Sequence, residues 1–219
     1  FAALEMTRAE RAARAVSILA SVPGAVAAGR RSPEPDDLQA LCRASEMAAA
    51  LPLEIADDGV QTLTSIRAAA RQIAARGPLA LVVVDYLQLV TSEGLARDAT
   101  REREVAVIAR GLKALAMELA CPVLALSQLS RAADVGRPRL SHLRESGALE
   151  QDANAIWFLH PRESSEPDAI TQSVELIVAA QRSGDTGTVP LTYRRAWTTF
   201  FEAAAEPEPY AVGGWGDDP

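Results

Sequence analysis

The sequence predicts an α/β protein in which a mostly parallel central sheet is flanked by helices. Two apolar runs of strand length, at 79–84 and 122–126, carry the branched side chains that are typical of strands buried on both faces. Between them, residues 100–119 place apolar side chains at helical spacing. A strand, a helix and a strand in this order form a right-handed unit whose two strands are parallel.

Local signals predict the remaining elements. Thr7 and Glu10 have the spacing of a capping box, which predicts a helix that begins there and ends near residue 20. Gly184 and Gly187 flank a predicted turn between two late strands. Further helices are predicted over 36–50 and 62–75, a polar loop with a helical turn over 129–153, and strands over 1–4, 51–55, 155–159, 174–180, 187–193 and 196–202.

The composition is that of an ordinary soluble globular protein. Of 219 residues, 48% are hydrophobic and 23% are charged. We expect one domain over residues 1–205 and an acidic, disordered tail over 206–219. No apolar stretch has the length of a membrane helix and no signal peptide is visible, so the expected location is the cytoplasm. The net charge of −7 disfavours a protein that coats duplex DNA, although it allows a local basic channel.

Polar residues close both of the predicted parallel strands. Asp85 follows the first apolar run, and Gln128 follows the second. Ligands of parallel sheets bind beyond the carboxyl ends of the strands, so we expect the two side chains side by side. A carboxylate there suits a nucleotide-bound Mg²⁺, and an amide there could sense a γ-phosphate. Each residue alone is better explained as an ordinary strand end, and the pair is the stronger signal.

Two other side chains have both a catalytic and an ordinary interpretation. Glu5 ends a short apolar run, where a carboxylate can polarise an attacking water, but an acid is also favoured near the start of a helix. Arg182 lies between a strand and a turn. A guanidinium there can neutralise phosphate charge within one subunit or across a boundary, but a single exposed turn arginine is common.

The loop that contains Arg144 and Gly147 has the composition of a phosphate-contacting segment. Glycine lets backbone N–H groups approach a phosphate closely, and arginine adds positive charge. A solvated surface loop explains the same residues. No aromatic side chains alternate with the charges, so base stacking is not indicated.

A phosphate-cradling loop is absent from these residues. Such a loop needs the pattern Gly-x-x-x-x-Gly-Lys-Ser/Thr, and the single lysine, Lys113, lies within the predicted helix at 100–119. In a parallel nucleotide-binding fold that loop follows the first strand. We therefore expect a fragment that lacks its first strand and phosphate loop, both of which would precede Phe1.

Six segments in order resemble the C-terminal ATPase domain of the DnaB family of bacterial replicative helicases, which has a RecA-like P-loop NTPase core. The resemblance covers about residues 1–202. The segments are FAALEMT at 1–7, VVVDYLQ at 82–88 (the Walker B segment), RGLKALA at 110–116, ALSQLSR at 125–131, LRESGALEQDA at 143–153, and AQRSG at 180–184 with GTV at 187–189.

The resemblance implies ATP and Mg²⁺ as ligands and a role for each matching residue. Glu5 would activate the attacking water, and Asp85 would hold Mg²⁺ through water. Gln128 would sense the γ-phosphate, and Arg182 would reach the nucleotide of an adjacent subunit. The family usually has a lysine where this chain has Ala180, which removes one cation from that boundary.

The resemblance also implies partners. Arg144, Glu145 and Gly147 would contact the backbone of single-stranded DNA, the last two through main-chain groups. The protein would act as a homo-hexamer that unwinds duplex DNA, and it would meet primase and a helicase loader through an N-terminal region absent from these residues. Two alternatives stay open: a binding module for single strands or for an intact helicase without ATPase activity, and a RecA/RadA-type recombination ATPase. The segment at 143–153 favours the replicative helicase over the recombination ATPase.

Overall fold

The structure is a computed structural model that describes residues 1–3, 6–56, 62–93, 99–130, 136–143, 147–162 and 170–203. The predicted tail at 206–219 lies outside the described residues, as do three predicted site residues, Glu5, Arg144 and Glu145. Among the helices of the described ranges, none combines the length and the apolar character that crossing a bilayer requires.

In the described chain, four helices follow the first strand, strands and helices then alternate, and four successive strands come last. The helices are α1 (Arg8–Ala20), α2 (Gly24–Ala27), α3 (Pro35–Ala50), α4 (Leu63–Ala74), α5 (Arg101–Leu119) and α6 (Gly147–Asp152). The strands are β1 (Ala2–Ala3), β2 (Val82–Asp85), β3 (Val123–Ala125), β4 (Ala155–Pro161), β5 (Thr171–Gln181), β6 (Gly187–Arg194) and β7 (Thr199–Glu202). Short 3₁₀ helices lie at Leu87–Leu89 and Leu140–His142.

The first sheet has the order β1-β2-β3, and all its strands are parallel. Ala3 pairs with Asp85, and Val84 pairs with Ala125. Helix α5 connects β2 to β3, so the predicted strand–helix–strand unit is confirmed. The carboxyl ends of β2 and β3 therefore lie at one edge of the sheet.

A single apolar cluster holds this sheet against α4 and α5. Its most deeply buried members, each no more than 1% exposed, are Val84, Leu87, Val90, Ile108 and Leu115. Gly111 of α5 faces Leu63 of α4, and a Cβ at that glycine would overlap the leucine side chain. In β2 the Val82 and Val84 side chains are buried and Val83 is half-buried, whereas Leu124 of β3 is 37% exposed, so the predicted burial on both faces is wrong for β3.

The second sheet is antiparallel, with the order β4-β5-β6-β7. The last four strands of the sequence prediction are thereby confirmed. Ile156, Phe158 and Ile177 form a second buried cluster, against which Leu143 and Ala153 pack. Because Leu143 and Ala153 flank α6, this contact ties that segment to the antiparallel sheet.

The strand predicted over 51–55 is wrong. In this part of the described chain, β-pairing is limited to one isolated bridge between Ala56 and Ala2. The Leu53 N–H donates to the Leu51 carbonyl at 2.7 Å, which turns the chain locally. Pro52 has no N–H to offer a neighbouring strand, and both leucines are about half exposed. The segment lies beside β1, where the Ala56 N–H donates to the Phe1 carbonyl at 2.9 Å, but residues 51–55 do not form a strand.

Candidate functional site

The structure places Asp85 and Gln128 at the same edge of the parallel sheet. Asp85 is the last residue of β2, and Gln128 follows three residues after the end of β3. Main-chain pairing continues past the strand ends: the Leu126 N–H donates to the Val84 carbonyl at 3.0 Å, and the Leu87 N–H donates to the Leu126 carbonyl at 2.9 Å. The two segments are therefore held together beyond the sheet itself.

Asp85 forms an ion pair with Arg11 of α1. Arg11 Nη2 lies 3.0 Å from Asp85 Oδ2, and the two side chains are 12% and 20% exposed. The guanidinium also lies over the Phe1 ring, 4.3 Å from its centroid. Asp85 Oδ1 makes no hydrogen bond to the described residues, so one carboxylate oxygen remains for a water-mediated contact with a cation.

The start of α1 fixes the position of Arg11. The Thr7 N–H and Oγ1 each lie 2.9 Å from Glu10 Oε2, and the Glu10 N–H donates back to Thr7 Oγ1, which confirms the predicted capping box. These hydrogen bonds lower the pKa of Glu10, chiefly through the Thr7 N–H. The Arg11 N–H donates to the Thr7 carbonyl at 3.1 Å, in the first turn of the same helix.

Gln88 bridges the ends of the two strands. Its Nε2 donates to Ser127 Oγ at 2.9 Å and to the Gln128 carbonyl at 3.3 Å, and its Oε1 accepts from the Gln128 N–H at 3.2 Å. Gln128 itself is exposed, and its side-chain amide makes no hydrogen bond to the described residues. The main chain of Gln128 is thus fixed while its side chain remains available.

Arg182 folds onto the end of α6. Its Nε donates to the Ala153 carbonyl at 3.1 Å, and its Nη2 donates to the Gln151 carbonyl. Its main-chain N–H donates to the Asn154 carbonyl at 2.8 Å. A cation at the carboxyl end of a helix is favoured by the helix dipole. Arg182, for which a role in an adjacent subunit is predicted, therefore has intramolecular contacts in this conformation.

Lys113 lies near Arg182. Its Nζ donates to Asn154 Oδ1, and Lys113, Asn154 and Arg182 line one open cavity. Ala180, at the position where the resemblance expects a lysine, packs against the second apolar cluster. Lys113, on α5, supplies a cation to this region, whereas Ala180 on β5 does not.

The other arginines near the predicted sites are engaged elsewhere. The Arg194 guanidinium lies over the Trp197 ring at 4.6 Å, and Arg195 donates to Gln172. Arg137 donates to Thr188 and lies 3.4 Å from Glu175.

Gly147 begins α6 and is exposed, and a Cβ there would meet no atom within 4 Å.

Sequence reasoning missed the roles of Arg11, Gln88 and Lys113 in this arrangement. Arg11 lies 74 positions from Asp85, and Lys113 lies 41 positions from Asn154, so no local pattern signals either contact. Gln88 stands in the same segment as Asp85, and its place in the turn directly after that strand is the signal that could have identified it.

The residues present fit part of a Mg²⁺-nucleotide site. Asp85 offers one oxygen to a water-bound cation, and Gln128 offers an amide. In the described ranges, no group of three or more His, Cys, Asp and Glu side chains could hold a metal ion. An ion at Asp85 would therefore be held through water and phosphate oxygens, as nucleotide-bound Mg²⁺ commonly is.

Comparisons with known proteins identify the family of the chain. Residues 1–202 match the model of the family described as DnaB-like helicase C terminal domain. The chain is 38% identical over 208 residues to the replicative DNA helicase DnaB of Leifsonia xyli subsp. xyli, which covers 93% of this chain and 45% of that protein. It is 40% identical over 205 residues to the replicative DNA helicase DnaB of Mycobacterium leprae, which covers 92% of this chain and 33% of that protein.

Two solved structures are also similar, each with 34% identity, a TM-score of 0.82 and 93% of this chain covered. One is a DnaB-like replicative helicase described with its interactions with primase, of which 51% is covered, and the other is described as an ATPase domain, of which 73% is covered. These matches confirm the predicted fold class. This chain spans between about a third and a half of the length of the two curated relatives. The chain belongs to the family of DnaB-like helicase C-terminal domains.

Proposed function

We propose that the chain is the ATP-hydrolysing motor part of a replicative DNA helicase that moves along single-stranded DNA as a homo-hexameric ring. The observation that carries this proposal is the placement of Asp85 and Gln128 on adjacent ends of parallel strands in a member of this family. Parallel sheets bind nucleotides at that edge. The role is replicative rather than recombinational because the curated relatives are replicative helicases.

Asp85 and Gln128 divide the work at this edge. Asp85 would hold a water-bound Mg²⁺ through its carboxylate, while Arg11 fixes Oδ2. When bound, Mg²⁺ would neutralise the charge that develops on the phosphates as the γ-phosphoryl group is transferred to water. Gln128 contacts the γ-phosphate through its exposed side-chain amide. Glu5, which follows two residues after Ala3, the register partner of Asp85, is the proposed base that takes the proton of the attacking water.

Arg182 acts on the nucleotide of the neighbouring subunit. To do so, its guanidinium leaves the carbonyl oxygens of Gln151 and Ala153. Lys113 lines one cavity with Arg182. We propose Lys113 as the second cation at the boundary between subunits, in place of the lysine that the family usually has at position 180. A guanidinium supplied in this way is worth roughly three to five orders of magnitude in rate in related phosphoryl transfers.

The proposed DNA contacts come from residues 144–147, the last of which begins α6. Arg144 pairs with a backbone phosphate, while Glu145 and Gly147 approach the DNA through main-chain groups. The open space at the Gly147 Cβ position supports close approach of a ligand to the backbone. Helix α6 begins at Gly147, a proposed DNA contact, and ends next to the Gln151 and Ala153 carbonyl groups that Arg182 contacts. The proposed DNA and nucleotide contacts therefore lie at the two ends of one short helix.

Further partners follow from the family. One solved relative is described with its interactions with primase, and we propose primase and a helicase loader as partners of the complete protein. A replicative role also places the protein in the cytoplasm, with ATP and Mg²⁺ supplied there.

The test measures ATP hydrolysis by the complete gene product that contains this chain, with and without single-stranded DNA. We expect turnover that single-stranded DNA stimulates and that Asp85→Ala abolishes. Arg14→Ala, at an exposed position of α1, is the matched control and should leave turnover unchanged. Undiminished hydrolysis by Asp85→Ala would overturn the assignment of Asp85.

The alternative function is a binding module without ATPase activity. The observation that favours it is the absence of the Gly-x-x-x-x-Gly-Lys-Ser/Thr pattern from these 219 residues. Binding of single-stranded DNA by a complete gene product that hydrolyses no ATP would establish the module and reject the motor.

A further inference from the structure

Gln88 joins the ends of β2 and β3, and we propose that it is a positioning residue for Gln128. The inference rests on the proposed nucleotide site and adds a residue to it. Gln88 fixes the main chain of Gln128, so that the exposed side-chain amide of Gln128 meets the γ-phosphate in one orientation. No part of Gln88 itself needs to touch the nucleotide.

The Gln88 side-chain amide makes the same pair of hydrogen bonds to Gln128 that a residue of a neighbouring β-strand would make. In an antiparallel pair, two opposed residues exchange both of their N–H and C=O hydrogen bonds. The Gln88 amide does the same for Gln128: Oε1 accepts from its N–H at 3.2 Å, and Nε2 donates to its carbonyl at 3.3 Å. Nε2 also donates to Ser127 Oγ at 2.9 Å, which fixes the preceding residue. Gln128 is thereby held after the ladder of β3 has ended.

The anchor of Gln88 is rigid on both sides. It lies in the 3₁₀ helix Leu87–Leu89, and its neighbour Leu87 is 1% exposed. Val90, which is fully buried, donates its N–H to the Leu87 carbonyl at 3.1 Å. The Leu87 N–H is bonded to the Leu126 carbonyl on the opposite segment. The three hydrogen bonds of the Gln88 amide to Ser127 and Gln128, here called the clamp, start from this fixed turn. The clamp can therefore set the orientation of the Gln128 side chain.

If Gln88 is a positioning residue, its removal should affect the rate of ATP hydrolysis and the stability of the fold to different degrees. Gln128 is exposed and Ser127 is half-buried, so water can replace the hydrogen bonds that a lost amide leaves. A misplacement of about 1 Å at a reacting group can cost about a hundredfold in rate. Removing Gln88 should therefore slow hydrolysis far more than it loosens the fold.

The experiment compares Gln88→Ala and Gln88→Glu with wild type and with Leu89→Ala in the complete gene product, in the presence of single-stranded DNA. Leu89 stands in the same turn with an exposed side chain and takes no part in the clamp. The measurements are kcat, the KM for ATP and the thermal midpoint of unfolding.

We expect Gln88→Ala to lower kcat by about tenfold or more while KM changes by less than roughly threefold, because binding contacts elsewhere are kept. The midpoint of unfolding should match that of Leu89→Ala. Gln88→Glu keeps the Oε1 acceptor for the Gln128 N–H, so its kcat should lie between those of Gln88→Ala and wild type.

Two outcomes would overturn the inference while the wild type is active. In the first, Gln88→Ala keeps a kcat within about twofold of that of Leu89→Ala. In the second, Gln88→Ala loses kcat only in proportion to a loss of folded protein. A wild type that hydrolyses no ATP would instead reject the proposed function, and the inference with it.

Discussion

Arg11 and Asp85 form an ion pair at the end of β2, with 3.0 Å between Nη2 and Oδ2, although 74 positions separate them in the chain. The pair binds the first helix to the strand that carries the proposed Mg²⁺ contact. It also assigns different tasks to the two carboxylate oxygens, because Oδ2 faces Arg11 while Oδ1 has no partner among the described residues.

Replacing Arg11 should destabilise the fold. Arg11→Met removes the guanidinium, and with it the contacts to the Phe1 ring and to Asp85, so the Asp85 charge stays mostly buried without its partner. We expect a loss of about 1–3 kcal/mol in the free energy of unfolding, measured by chemical denaturation. Arg14→Met, on an exposed position of the same helix, should change it by less than about 0.5 kcal/mol. Equal effects of the two substitutions would mean that the ion pair contributes nothing specific.

Gly147→Ala separates a structural role from a DNA-contacting role. A Cβ there meets no atom within 4 Å, and alanine is favoured over glycine in a helix by about 0.5–1 kcal/mol, so the fold should be equally stable or slightly more so. If the Gly147 main chain approaches DNA, the added methyl group should weaken binding of single-stranded DNA by roughly fivefold in fluorescence anisotropy. Gly187→Ala, where space is equally open, is the control. Unchanged DNA affinity in Gly147→Ala would remove Gly147 from the proposed interface.

Acid should weaken the capping box of α1. The hydrogen bonds from Thr7 lower the pKa of Glu10 below its ordinary value of 4.5, so the carboxylate stabilises the fold above that value. This stabilisation is lost as the pH falls through the folded pKa. Wild type should therefore have a higher thermal midpoint than Glu10→Gln at pH 6, and the difference should shrink below about pH 4.5. A difference that stays constant from pH 6 to about pH 3 would contradict the assignment.

The parallel unit and the start of α1 could be predicted because their signals are local. The apolar runs before Asp85 and Gln128 have strand length, and the spacing of Thr7 and Glu10 alone specifies a capping box. The prediction of a strand at 51–55 fails because a strand exists only with a partner, and the described residues offer this segment one bridge.

Much of the candidate site depends on contacts that sequence does not display. The ion pair of Arg11 depends on how α1 packs against β2, and the contacts of Arg182 with Gln151 and Ala153 depend on how β5 lies against α6. Glutamine at position 88 is visible in the sequence, but its partners become evident only when the ends of β2 and β3 are placed side by side. Local pattern identifies the elements, and long-range packing determines which side chains meet.

We propose that Asp85 of one copy and Arg182 of the next complete one nucleotide site, and a mixing experiment tests this arrangement most directly. Asp85→Ala and Arg182→Ala forms of the complete gene product are assayed separately and after mixing and reassembly, by ATP hydrolysis with single-stranded DNA. Each variant alone should be inactive. The mixture should regain hydrolysis, because about a quarter of the boundaries in a randomly mixed ring join an intact Asp85 to an intact Arg182. A mixture as inactive as its components, in rings shown to contain both variants, would contradict the shared site.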